Sequence, residues 1–330
     1  MIFLAVAMLG LILFMRFIFV MRERRHERFL AVWRPVFARG LTFPNGNIPT
    51  LKKYEMPYFA ALFIRYHSLV GGEEKENLNA MARAAGLRGG AAEMLISRSV
   101  TKQLQAIAAL GCLKEQGAID RLARHAAGEH TLLSLAAAVS IVRIDPSAAV
   151  RKLMPLIVSR RDWAASSVYR ILREAGPDAV SGVLLHAVMR ADEEAALRLM
   201  PFLGTADAPA AAAAVRFWLD KTTSDEMIAA CLKMISSPLD APVARRYIGH
   251  PAWFVRAQAA LLLGKIGGRE DVPSLTALLA DKEWWVRYRA AQALADLPFL
   301  DAEGLHRIMD GERDRFAKDI LFQVMSEKGV

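Results

Sequence analysis

Two cysteines stand in 330 residues, Cys112 and Cys231, and no CxxC pair occurs. That excludes a secreted-type disulfide framework and a cysteine-built zinc site, and it fits a reducing compartment. The chain contains no GxSxG, P-loop, GxGxxG or HExxH string. It therefore offers no nucleophile elbow, phosphate cradle or zincin helix. Only His125 and His130 are close among seven histidines, and a spacing of i, i+5 sets them on different sides of a helix. Ser99-Val100-Thr101-Lys102 fits Ser-x-x-Lys, but the partner strings that make it catalytic are missing. Paired acids such as Glu73-Glu74 and Glu193-Glu194 suit helix starts, where they complement the dipole. No catalytic residue, metal ligand or cofactor site is assigned, and the chain reads as a non-enzyme.

An excess of charge on the body of the chain is also missing. The formal net charge is +9. Residues 1–39 hold seven arginines (16, 22, 24, 25, 28, 34 and 39) against Glu23 and Glu27, which leaves +4 for everything beyond. A nucleic-acid surface needs a Lys or Arg for each phosphate it neutralises, so the near-neutral body argues against that class.

Polar residues are nearly absent from the start. Residues 1–20, MIFLAVAMLGLILFMRFIFV, carry one charge, Arg16. About twenty apolar residues span a bilayer core. A cleaved signal peptide would open on a basic residue and end on a small-residue cleavage site, and neither is present. The expectation is a transmembrane anchor over 1–21, with Arg16 snorkelling to the headgroups. Arg22, Arg24, Arg25 and Arg28 then flank the cytoplasmic side by the positive-inside rule, leaving the N-terminus outside. Phe29, Trp33 and Phe37 follow at i, i+4, i+8 among arginines, a pattern suited to the headgroup zone, with Trp33 the membrane-flanking aromatic. Pro35 should kink or restart this helix. Prolines and Asn45-Gly46-Asn47 mark residues 40–57 as a linker. Residues 58–70 are too short and polar to span, and read as a helix buried against the first repeat or lying on the membrane.

What the chain has in plenty is helical periodicity. Val255-Arg256 with Ala259-Ala260 and Leu263 recurs 31 residues later as Val286-Arg287 with Ala290-Ala291 and Leu294. Backwards from Leu294 the same slot holds Leu263, Met234, Leu203, Leu172, Ile141 and Leu110, at steps of 31, 29, 31, 31, 31 and 31; one step forward lands on Met325. A fixed period of this size marks a solenoid, whose units bury apolar faces against their neighbours. Gly267-Gly268 ends one helix, Asp271 can cap the next, and Pro273 sits in its first turn. Asp145-Pro146 and Gly176-Pro177-Asp178 punctuate other pairs. The architecture expected is an all-α solenoid of about eight helix pairs over residues 73–330. A juxtamembrane basic segment and linker would precede it over 22–72.

The acidic turn Asp281-Lys282-Glu283, followed by Trp284-Trp285-Val286-Arg287, Ala290-Ala291 and Leu294, resembles the HEAT-repeat family, in its bacterial HEAT-like form. His250-Pro251 departs from it, standing where an acidic turn belongs. That resemblance implies antiparallel helix pairs and no chemistry. The layout also resembles single-span, cytoplasmic HEAT-repeat proteins of Gram-negative bacteria. Some of those are similar to accessory proteins of membrane glycosyltransferases for exported polysaccharide, a resemblance that rests on this layout and on tracts of this chain such as Arg161-Asp162-Trp163. The resemblance implies an inner-membrane protein with one span and a cytoplasmic solenoid.

Aromatics and arginines at matched positions are the candidate partner-binding residues: Trp285, Phe254, Trp163, Arg256 and Arg287. Two readings of them stand. In one, Trp packs between units and Arg bonds the previous unit's acidic turn or carbonyls. In the other they form an interaction ridge, since Trp and Arg dominate interface energetics. Adjacent residues on a helix point about 100° apart, so one ring of Trp284-Trp285 should pack inside and the other reach solvent. Trp284, repeated at Trp253, is expected inside, and Trp285 outside. The function expected is a membrane-tethered protein–protein scaffold with a membrane-associated protein partner. Alternatives are a HEAT-like ligand-binding or lyase-type protein and, less favoured by charge, a nucleic-acid-binding solenoid.

Overall fold

A computed structural model describes residues 2–43 and 46–329, with the side chains of residues 2–7, 9–11 and 22 outside the description. Every regular element among the described residues is helical. The chain divides into two compact units, Met1–Ala175 and Gly176–Val330.

The first unit holds α1 (Ile2–Gly40), α2 (Met56–Leu69), α3 (Gly72–Ala84), α4 (Leu87–Leu95), α5 (Val100–Cys112), α6 (Ile119–Ala127), α7 (Thr131–Ile144), α8 (Pro146–Ser159) and α9 (Ala165–Ala175). The second holds α10 (Pro177–Arg190), α11 (Glu193–Leu199), α12 (Ala208–Lys221), α13 (Asp225–Met234), α14 (Ala241–Arg246), α15 (Trp253–Ile266), α16 (Val272–Ala277), α17 (Trp284–Asp296), α18 (Ala302–Gly311) and α19 (Arg315–Lys328).

One rule builds both units. The first helix of each repeat stacks on the first helix of the next: α5 on α7 and α7 on α9, then α13 on α15, α15 on α17 and α17 on α19. The second helix packs forward onto the following repeat's first helix, as α4 does on α5, α6 on α7, α12 on α13 and α16 on α17. The result is a HEAT-like repeat arrangement of paired helices.

Local chemistry starts these helices where the sequence says it should. Asp145, Asp192, Asp207 and Asp301 each accept a hydrogen bond from the backbone N–H three residues on, at 2.7–2.9 Å, which satisfies one orphan donor of the helix. Pro146 and Pro177 sit in the first turns of α8 and α10. Gly176, before α10, has φ +84°, a region that glycine enters without steric cost. Glu73-Glu74 and Glu193-Glu194 open α3 and α11. Asp271 departs from its expected role. It does not cap α16; its carboxylate accepts the Gly268 N–H at 2.8 Å and is gripped by Arg245.

The slot residues Leu110, Ile141, Leu172, Leu203, Leu263, Leu294 and Met325 are all buried. Met234 is the exception. It is half-buried, and fully buried Leu232 takes the slot instead. The short step of 29 thus falls between Leu203 and Leu232, not after Met234. The cause is the 3-10 turn Met200–Thr205 that follows α11, whose greater rise per residue covers the same length with fewer residues. Neighbouring first helices approach closely at one position. A Cβ on Gly264 would lie 2.5 Å from the Ala293 Cα, and one on Gly111 would lie 2.8 Å from the Ser140 Cβ. Those glycines let backbones touch.

The N-terminal half corrects two expectations. Helix α1 continues through Pro35 to Gly40 without restarting. Phe29, Trp33, Val36 and Phe37 are buried, with Trp33 and Phe37 against Phe59 of α2 at ring-centroid distances of 4.8 and 5.1 Å. The stripe read as a headgroup belt is therefore core, and Trp33 leaves the membrane-flanking set. Helix α2 buries Phe59, Leu62 and Phe63 and packs on α4 and α5, so residues 58–70 belong to the protein interior. Helical packing thus begins upstream of residue 73.

Before Phe29, α1 is different. Ile12, Leu13, Phe14, Met15, Phe17 and Phe19 are all exposed, as is Arg16 among them. Arg24, Arg25 and Arg28 follow, also exposed. Among the described residues no helix is long and apolar enough to cross a membrane. Much of the span expected over 1–21, and Arg22 beside it, lies outside the described side chains.

Candidate interaction site

The N-terminal ends of α15, α17 and α19 present a row of aromatic side chains. Slot residues Leu263, Leu294 and Met325 put Phe254, Trp285 and Phe316 at equivalent positions, each nine residues upstream. Trp253 and Trp284 precede two of them. Trp253 is 40% exposed, Trp284 42%, Trp285 52% and Phe316 67%; Phe254 is half-buried. The expected split of the Trp pair does not occur. Trp284 is not wedged between units; it lies nearly parallel to Tyr288 at 5.1 Å, and Trp285 meets Trp284 edge-on at 4.7 Å. Successive residues at a helix start point in different directions, but both directions here face solvent, because Val286 and Ala290 of the same helix fill the inter-helix contact.

Tyr288 anchors this group. Its hydroxyl donates to Glu327 of α19 at 2.8 Å. The bond raises the Tyr288 pKa, and bonds from Gln323 and then Tyr288 lower that of Glu327.

The two matched arginines have different jobs. Arg256 is buried, and its Nε and Nη2 donate to both Asp281 oxygens at 2.8 Å. Its Nη1 donates to the carbonyls of His250 and Pro251. The acid lies in the next unit's turn, not the previous one. Burial alone would raise the Asp281 pKa; the Arg256 hydrogen bonds, the Glu283 N–H and the Arg256 charge bring it below its ordinary value. Arg287 repeats the Nη1 bonds, to the carbonyls of Asp281 and Lys282. Its Nε is buried without a hydrogen-bond partner. Its guanidinium stands 5.8 Å from the Phe316 ring centroid, within cation–π range. Arg256 is thus a structural clamp, while Arg287 belongs to the aromatic row.

Trp163 belongs elsewhere. It is buried in the first unit, donates its Nε1–H to Ser134 Oγ at 3.1 Å and lies beneath Arg160 at 5.4 Å. Arg160 in turn holds Asp162 and the carbonyls of Ala126 and Gly128. Trp163 is a packing residue that ties α7 to the following turn. Phe316 was missing from the expected set, although its offset from Met325 would have found it.

Among the described residues no three His, Cys, Asp or Glu side chains gather to hold a metal ion. What the row can do is bury apolar area against another surface. Aromatic rings do this at low entropy cost, with Arg287 as a polar handle.

Residues 219–295 match the family described as HEAT repeats. No curated protein matches the chain. Among solved structures, human deoxyhypusine hydroxylase is 15% identical, with 80% of this chain and 95% of that chain covered at a TM-score of 0.30. An engineered protein is also 15% identical, with 93% and 98% covered at a TM-score of 0.32.

Proposed function

We propose that this chain of HEAT-like repeats is a non-catalytic scaffold that captures a protein partner on the aromatic row of its second unit and is tethered to a membrane by the start of α1. The observation that carries the reading is the set Trp253, Trp284, Trp285 and Phe316, all substantially exposed at repeat-equivalent places. Single exposed apolar residues are ordinary, but here exposed rings recur at matched positions of α15, α17 and α19, with Trp284 and Trp285 in mutual contact. The tether is supported by the exposed apolar side chains from Ile12 to Phe19, followed by Arg24, Arg25 and Arg28. Holding a scaffold at a membrane raises its effective concentration toward a membrane-bound partner without any new contact. A polysaccharide glycosyltransferase complex at an inner membrane is the setting that fits the layout, with the repeats on the cytoplasmic side.

Two experiments test the parts separately. A photo-crosslinking residue placed at Phe316 should give one discrete protein adduct in intact cells. The same group on the outer face of α12 should not give that adduct. Equal, diffuse labelling from both positions would remove the row as the contact. For the tether, truncation must stop before Phe29, because Phe29, Trp33 and Phe37 are core. A chain lacking residues 1–24 should leave the membrane fraction while keeping its melt. A truncated chain that still resists salt and carbonate extraction contradicts the tether.

A further inference from the structure

We propose that a cleft in the first unit, between α4 and α6, binds a phosphate group carried on an apolar body. The proposal stands apart from the aromatic row and uses other residues. The cleft follows from the repeat rule. Helices α5 and α7 stack directly, while α4 packs on α5 and α6 packs on α7. The second helices α10 and α12 pack on one another in the other unit, but between α4 and α6 a cleft of about 470 Å³ opens. That volume is in the range of small-molecule sites.

Its lining is of two kinds. Leu95, Ile96 and Leu133 form an apolar side, with Ile96 exposed at its edge. Arg121, Arg124 and His125 form the other. Their spacing of i, i+3, i+4 puts them on one face of α6. Some basic residues of this unit are held by carboxylates: Arg88 has Glu115, Arg143 has Glu174, Lys152 has Asp120 and Arg160 has Asp162. Arg121 and Arg124 make no ion pair among the described residues, and Glu129 is the one carboxylate on the lining. Two like charges on one helix face oppose each other, and an anion between them removes that cost.

Arginine in place of lysine points to a phosphate oxygen edge, which the planar fork matches bidentately. Burial, and then the Arg124 charge, lowers the His125 pKa. His125 thus favours its neutral form and can add a hydrogen-bond donor. The apolar body has room to extend. A second cleft of about 250 Å³ shares Ala92, Leu95 and Arg121 with the first and reaches Leu110, with the Arg88–Glu115 ion pair along its other side. Arg121 stands at the junction, so a chain could run along α4 with its phosphate held at Arg121 and Arg124.

The ligand could come from a membrane or from solution, and the test separates these. Full-length protein in a neutral detergent is titrated calorimetrically with dihexanoyl phosphatidic acid, dihexanoyl phosphatidylcholine and inorganic phosphate. Phosphatidic acid should bind at least about tenfold tighter than either of the others. Arg121→Ala/Arg124→Ala should remove that preference, and Ile96→Glu should weaken binding of the lipid while leaving the melt in place. Flotation with phosphatidylcholine vesicles, with and without phosphatidic acid, assigns the source. Extra recruitment by phosphatidic acid that the double variant loses identifies a membrane lipid. Lipid binding in detergent with no extra recruitment identifies a soluble phosphorylated amphiphile. Equal affinity for inorganic phosphate and the lipid overturns the proposal, as does a double variant that folds and binds as before.

Discussion

At the scale of single residues, the two matched arginines show how much a repeat position leaves undecided. Arg256 and Arg287 are interchangeable in the sequence, and each bonds the two carbonyls of its own turn. Only Arg256 also meets a carboxylate, because Asp281 closes the turn that follows it. Breaking a buried pair leaves a buried charge, so Arg256→Ala should cost about 3–5 kcal/mol. Arg287→Ala should stay near the about 1.5–3 kcal/mol of a charge-assisted hydrogen bond; thermal melts of the two variants would check the order. The pairs also set an acid limit. Asp271 and Asp281 are both held below the ordinary carboxylate value, against the opposing effect of their own burial, by hydrogen bonds from Arg245 and Arg256 and from backbone N–H groups. A depressed folded pKa contributes stability above about pH 4, lost as pH falls through the folded value. Melts taken downward from about pH 6 should fall steeply below about pH 4, and Asp281→Asn should flatten that fall. The two cysteines make a third case. Burial pushes the Cys231 thiol up to about 12 and the Cys112 thiol upward too, the latter opposed in part by Arg143 and Lys75. An alkylating reagent at neutral pH should modify neither in the folded chain and both after denaturation.

At the scale of elements, the sequence was most legible where backbone chemistry is local. Asp145-Pro146, Gly176-Pro177 and the acidic pairs mark helix starts because caps and fixed φ act within a few residues. The slot rows were legible for the same reason the fold stands: each is a buried apolar position. Met234 misled because a 3-10 turn around Leu203 changes the residue count without changing the spacing in space. The stripe Phe29, Trp33, Phe37 misled because an apolar face reads alike whether lipid or α2 covers it. Trp284 misled because repetition at Trp253 marks equivalence of position, not burial. Leu263→Ala should cost about 2–5 kcal/mol through transfer and cavity terms. Gly264→Ala tests the close approach. Its added Cβ must push α17 away at Ala293, so a methyl that favours helix formation should instead destabilise by about 1–3 kcal/mol, while Gly311→Ala, with nothing within 4 Å, should not.

For the whole molecule, the residues that hold the repeats together are distinct from those the repeats present. Leu263, Gly264, Arg256 and Asp281 belong to the first group, and Trp253, Trp284, Trp285 and Phe316 to the second. The HEAT repeats match over 219–295 includes Leu232, where the register is offset. The sequence leaves the Trp–Arg positions as a pair of readings, because a Trp beside an Arg serves packing and recognition equally well; the exposure of Trp253, Trp284 and Trp285 supports the second. The most direct measurement is the yield of the crosslinked partner from wild-type and Trp285→Ala chains, taken with a thermal melt of each. The crosslinking residue sits at Phe316 in both. Trp285 is about half covered, by Trp284 and Tyr288, so its loss should cost no more than about 1.5 kcal/mol, and the expected result is that the adduct is lost while the fold is kept. An undiminished adduct from Trp285→Ala, or a chain that unfolds without this ring, would contradict the claim that the aromatic row is a recognition surface.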